Sequence, residues 1–148
     1  MATAERQART TWEGPLPTGS GQVELVSSGV GTFPVTWASR TERPDGKTSP
    51  EELLAASHAT CYAMSLSVLL SRTVTAPRRL VVTATVDFAP KEGGGFHVTK
   101  SDLEVTGEVD GVDQAKFQEL AEQAEANCPI SNVMRGNIAI SVRATLAG

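Results

Sequence analysis

From Pro50 to about Thr73 the chain runs without an internal break, and nearly every face of a helix drawn through that stretch is apolar or small. The start is well marked: Ser49 supplies an N-cap, Pro50 takes the first helical position, and Glu51 and Glu52 add early acids. Leu53, Leu54, Ala59, Met64, Leu66, Val68 and Leu70 then fall on different sides of the helix. A helix that is apolar all round has to be enclosed on all sides. A chain of 148 residues has few elements to do this with, which predicts a dimer sharing its core. The segment approaches transmembrane length, but His58, Thr60, several serines and the two glutamates at its start read as a buried helix of a soluble protein, with no membrane partner.

The remaining elements follow from local pattern. Trp12-Glu-Gly-Pro and Gly21-Gln-Val-Glu-Leu-Val read as two short strands around a Pro/Gly turn, Phe33–Trp37 as a third, and residues 1–9 as frayed. Arg40–Ser49 is a polar loop with a Pro-Asp-Gly turn signal. Leu80–Phe88 and Phe96–Val109 are rich in β-branched or alternating residues and predict a long hairpin across the glycines at 93–95. Asp113–Ala126 is an amphipathic helix, and the stretch from Asn137 to Arg143 is a final strand. Strands, helix, hairpin, helix and strand in that order give an α+β fold in a single domain, 1–148.

Bulk properties narrow the function. A net charge of -4 gives no basic footprint for nucleic acid. The N-terminus lacks the apolar core of a secretory signal, which places the chain in the reducing cytoplasm. There a stable structural disulfide is out of place, and a catalytic or sensing one is the usual exception.

The chain has two cysteines, Cys61 within the long helix and Cys128 in Asn127-Cys128-Pro129-Ile130. Buried inert thiols are the ordinary fate of such residues. Metal binding wants about four closely spaced ligands; there is no Cys-x-x-Cys, and His58 and His97 are not spaced as a cluster, so neither a metal nor a thioredoxin-type site is expected. His58, three residues before Cys61, shares its helix face and could act as a base, although a satisfied helix histidine is the more ordinary role. Peroxide chemistry remains. It requires a thiolate, and burial would raise the Cys61 pKa unless a cation offset it. Arg40 and Arg43 are the candidate cations, and Glu51 or Glu52 could orient a guanidinium through a bidentate contact. Either acid could equally serve only the helix N-terminus.

Glu51 and Cys61 are ten residues apart, about 15 Å along one straight helix. A glutamate side chain cannot span that, so if Glu51 serves the Cys61 site it comes from the partner subunit.

These residues have a family likeness. The run Thr48-Ser-Pro-Glu-Glu-Leu-Leu-Ala-Ala-Ser-His-Ala-Thr-Cys-Tyr-Ala-Met-Ser-Leu66 resembles the motif of the osmotically inducible protein C (OsmC) and organic hydroperoxide resistance (Ohr) family, and so does Ala126-Asn-Cys-Pro-Ile-Ser-Asn-Val133. The resemblance extends from Trp12 to the last strand. The first motif leans toward the OsmC branch, while Ser131–Ile138 looks closer to Ohr. The resemblance implies an intertwined α+β homodimer with central long helices wrapped by antiparallel sheets. It implies Cys61 as the peroxidatic cysteine, Cys128 as the resolving one, Arg40 as the group that stabilises the thiolate, and Glu51 as the acid that holds it. The strand-end context of Arg40 favours it over Arg43, which precedes Pro44 in a turn.

The expected function is a thiol peroxidase reducing organic hydroperoxides, with a dithiol reductant of lipoyl type and no metal, flavin or nucleotide cofactor. Met64, Leu54 and Phe33 are candidate lining residues for an apolar pocket. The alternatives are a non-enzymatic binder of a small apolar ligand and a thiol redox sensor.

Overall fold

The computed structural model describes residues 1–147. Its contacts divide the chain into two compact units, Met1–Leu53 and Leu54–Gly148.

The first unit is a three-stranded antiparallel sheet, β1 (Arg9–Glu13), β2 (Ser20–Glu24) and β3 (Thr32–Val35), in the order β1-β2-β3. Pairing begins earlier than the sequence suggests: Gln7 and Ser27 exchange hydrogen bonds, so only the first six residues precede it. The expected strand over Phe33–Trp37 ends at Val35 and is followed by a short helix, α1 (Trp37–Thr41). The cause is a capping box. Thr36 Oγ1 accepts from Ser39 N–H at 3.0 Å and Ser39 Oγ accepts from Thr36 N–H at 3.0 Å, which satisfies two donors at the helix start. Arg40 therefore sits on a helix, not at a strand end. The Pro44-Asp45-Gly46 turn forms as expected, with positive φ at Asp45 (49°) and Gly46 (76°) and Lys47 N–H donating to Pro44 O at 2.9 Å. Ser39 Oγ also donates to Thr48 O at 3.0 Å, folding the loop back toward the start of the next helix.

That helix, α2 (Pro50–Thr73), opens at the end of the first unit and continues into the second. The second unit adds β4 (Arg79–Val86), a small hairpin of β5 (Ala89–Pro90) and β6 (Phe96–His97), then β7 (Lys100–Glu108), α3 (Gln114–Asn127), α4 (Pro129–Met134) and β8 (Ala139–Leu146). The predicted hairpin is present, as β4 paired antiparallel with β7, but its second strand is interrupted. Asp87 takes the backbone N–H groups of Thr99 (2.6 Å) and Lys100 (3.0 Å) together with the Thr99 hydroxyl, turning the chain between β6 and β7. β8 runs parallel to β7, giving the order β4-β7-β8. A parallel pair needs a long crossover, and α3 with α4 supplies it.

The alternating inward residues of β7 (Ser101, Leu103, Val105) face the core with Phe117, Leu120, Ala121 and Ala124 of α3 and a stripe of α2 four residues apart: His58, Tyr62, Leu66 and Leu70. α2 has the length and apolarity of a membrane span, but this stripe makes it a core helix. Its opposite side, through Ala56, Thr60, Met64 and Val68, is exposed, Met64 to 68% and Val68 to 46%.

Candidate active site

Two constellations carry the expected residues, one in each unit. In the first unit, Glu51 is buried in the opening turn of α2 and Arg40 reaches it from α1. Arg40 Nη2 donates to Glu51 Oε1 at 2.7 Å, and Nε donates to Oε1 and Oε2 at 3.1 and 3.2 Å. This is the two-donor geometry that distinguishes arginine from lysine at a carboxylate. The Arg40 guanidinium carbon also lies 6.0 Å from the Trp37 ring centroid, one helical turn back. The ambiguity between the two acids is resolved: Glu52 is exposed and accepts from Thr48 Oγ1 at 2.9 Å, while its N–H is capped by Ser49 Oγ. Arg43 lies on the exposed loop.

Beside Arg40 is an apolar groove of about 360 Å³ walled by Trp12, Leu16, Val23, Val35 and Leu53. It is within the size range of small-molecule sites. Met64, Leu54 and Phe33, the lining expected from sequence, are not among its walls.

In the second unit, Cys61 and Cys128 are free thiols with Sγ atoms 3.4 Å apart. Cys128 is fully buried and Cys61 partly so. Cys128 occupies the junction where α3 stops and α4 starts, with Pro129 at the first position of α4. Its side chain makes no capping bond to that helix, which leaves the sulfur directed at Cys61.

Burial pushes the Cys61 thiol pKa up, and the neighbouring Cys128 adds to this because two thiolates in contact repel. The Ile130 backbone and the Ser65 hydroxyl pull the pKa in the opposite direction without overcoming burial. Ser65, one turn beyond Cys61, is legible in the sequence as a nearby hydroxyl; the Ile130 contribution depends on how α4 docks.

His58 is not a base for Cys61. It is fully buried, with Nδ1 2.6 Å from Ser101 Oγ and Nε2 2.7 Å from Ser131 Oγ, so both ring nitrogens are engaged. Desolvation lowers its pKa, against a raising influence from Glu125, and the ring stays neutral. Among the described residues no cluster of three or more His, Cys, Asp or Glu could hold a metal ion.

A sequence model described as OsmC-like protein matches residues 43–143, which takes in the whole of α2 and both cysteines. The chain belongs to the OsmC-like family. It is 33% identical over 138 residues to peroxiredoxin OsmC of Escherichia coli K12, covering 93% of this chain and 95% of that protein. The OsmC-type fold recurs in the crystal structure of the organic hydroperoxide resistance protein OhrB of Bacillus subtilis. That structure gives a TM-score of 0.74 at 25% identity and covers 94% of this chain and 98% of the other. A crystal structure from Legionella pneumophila, titled as an organic hydroperoxide resistance protein OsmC, gives 0.79 at 22% identity and covers 98% and 99% of the two chains, a likeness of fold. As an OsmC-like protein the chain is a peroxidase-type oxidoreductase.

Proposed function

We propose that the protein is a cytoplasmic thiol peroxidase that reduces organic hydroperoxides to alcohols, with Cys61 as nucleophile and Cys128 as resolving thiol. The observation that carries this reading is the pair of free thiols with sulfurs 3.4 Å apart on two different elements. The names peroxiredoxin and organic hydroperoxide resistance protein, borne by its relatives, support the substrate class.

In this reading the Cys61 thiolate attacks the distal peroxide oxygen. The O–O bond breaks, the alkoxide leaves and takes a proton, and Cys61 becomes a sulfenic acid. The Cys128 sulfur then attacks Cys61, water leaves, and a disulfide forms. An external dithiol of lipoyl type returns both cysteines to thiols by exchange.

Cys61 needs a cation to be a thiolate near neutral pH, and Arg40 supplies it while Glu51 holds the guanidinium in place. α2 is one helix from Pro50 to Thr73, so Glu51 and Cys61 of one chain are separated by about 15 Å of helix axis. The arginine therefore comes from the partner in a homodimer with shared sites. The exposed apolar side of α2 at Met64 and Val68 supports such a pairing. The groove beside Arg40 receives the alkyl part of the substrate. Residues 1–148 then work as one OsmC-like domain within each subunit.

The test is thiol titration after one equivalent of cumene hydroperoxide. Loss of two thiols per chain, abolished by Cys61→Ser, and turnover with excess dihydrolipoamide support the enzyme. Unchanged thiols indicate a binder of apolar ligands, and a disulfide that does not turn over indicates a sensor.

A further inference from the structure

We infer that His58 is a positioning residue for resolution: through Ser131 it fixes α4 in the register that holds the Cys128 sulfur against Cys61. The inference rests on the peroxidase reading above.

The geometry is a two-rung ladder. On α2, His58 precedes Cys61 by three residues, and on the Cys128–α4 segment Cys128 precedes Ser131 by three. The pairs meet in opposite order, His58 with Ser131 at 2.7 Å and Cys61 with Cys128 at 3.4 Å. Residues three apart on a helix lie on one face, so one rung determines the other. Slippage of α4 that breaks the His58–Ser131 bond also withdraws the Cys128 sulfur from Cys61.

α4 needs such an anchor. Six residues are too few for a helix to hold itself, so its position is set by tertiary bonds. Two sets of bonds tie it to α3: Glu125 O accepts from Cys128 N–H at 3.1 Å and from Arg135 Nη2 at 3.3 Å, and Glu125 Oε1 accepts from Arg135 Nη2 at 2.7 Å. Beside the contact between the two sulfurs themselves, the His58–Ser131 bond is what ties it, among the described residues, to the helix that carries Cys61. The opposite ring nitrogen is fixed by Ser101 of β7 at 2.6 Å, which orients the imidazole. His58, Ser101 and Ser131 are all fully buried, so no water competes for these bonds.

The step served is the attack of the Cys128 sulfur on the Cys61 sulfenic acid. The S–O bond breaks, the S–S bond forms, and hydroxide leaves with the Cys128 proton as water. The sulfurs must close from 3.4 Å to about 2.0 Å, a movement small enough to depend on the resting register.

Two substitutions at His58 separate positioning from packing. Asparagine places a polar atom near the Nδ1 position and keeps the Ser101 bond alone; glutamine reaches the Nε2 position and keeps the Ser131 bond. Rapid-mixing oxidation of the full-length protein with cumene hydroperoxide, quenched with dimedone and read by intact mass, reports sulfenic acid and disulfide separately. Losing one buried hydrogen bond of ordinary strength corresponds to about a tenfold effect. Disulfide closure is expected to slow by about that factor in His58→Asn and in Ser131→Ala, the gentler change. Sulfenic acid should accumulate in both, and His58→Gln should recover most of the closure rate. Closure at the unaltered rate in Ser131→Ala, or loss in His58→Gln equal to that in His58→Asn, overturns the inference. If unaltered protein forms no disulfide, the peroxidase reading itself falls, and this control reveals it before any variant is compared.

Discussion

Cys61 Sγ and Cys128 Sγ stand 3.4 Å apart although their residues are separated by 67 positions, and they arrive from a long core helix and from the cap of a six-residue one. Cys128→Ser should leave one rapid reaction with peroxide per chain and then stop, with Cys61 passing to the sulfinic acid under excess peroxide. Cys61→Ser should not react at all. Mass spectrometry of the oxidised protein distinguishes the two, and a disulfide-free catalytic cycle in Cys128→Ser with the dithiol donor at full rate would remove Cys128 from the mechanism.

The Arg40–Glu51 pair should control the ionisation of Cys61. Burial raises the thiol pKa, so the reactive fraction grows with pH. An arginine near the sulfur counteracts this by about 1–2 pK units. Arg40→Met should therefore lower the second-order rate with an organic hydroperoxide at pH 7 by about 10- to 100-fold and move the rate–pH profile to higher pH. Glu51→Gln should do the same less severely, because the arginine is present but no longer held at two points. An unshifted profile in Arg40→Met, measured by stopped flow, would count against Arg40.

His58 should make the fold acid-sensitive. Its pKa is lowered from 6.5 by desolvation, with Glu125 opposing the shift. The unfolded chain then binds the proton more readily than the native one, so the stability is complete above about pH 6.5 and falls as pH drops below it toward the depressed native value. His58→Gln should lose this component of the acid dependence. Denaturant midpoints at pH 7.5 and 5.5 compare the two proteins, and an identical pH dependence would contradict the assignment.

Gly107 is a packing position on β7. A Cβ there would collide with the Phe117 ring and approach Leu80 Cδ2 to 3.2 Å. Phe117 is fully buried and cannot swing into solvent. Gly107→Ala should destabilise by about 1–3 kcal/mol, typical of overpacking. Thermal or denaturant unfolding checks this, and a neutral outcome would mean that α3 moves away from the sheet more easily than its burial implies.

Much of the fold was legible because it rests on local chemistry. The bounds of α2 follow from Ser49, Pro50 and the absence of a breaker; α3, to within a residue at each end, and the β4–β7 pairing follow from equally local signals. Where the structure departs from the local pattern, one cause is local and one is not: the Thr36–Ser39 capping box lies beneath the strand-like Phe33–Trp37 pattern, and the Asp87 clamp that breaks the second hairpin strand has partners twelve and thirteen residues away. Arg40 and Glu51 do pair, although the strand-end setting expected for Arg40 is a helix.

What the sequence determined by itself was the helix that holds Cys61, the acid and arginine fit for a bidentate pair, and the two thiols. Helix caps, breakers and side-chain chemistry act over a few residues and can be read in order. Only the tertiary structure decided that His58 is engaged by Ser101 and Ser131 and that Cys128 lies within reach of Cys61. Those contacts join residues far apart in the chain. They depend on the parallel docking of β8 beside β7, which brings α3 and α4 back across α2, and burial of the apolar stripe fixes that docking.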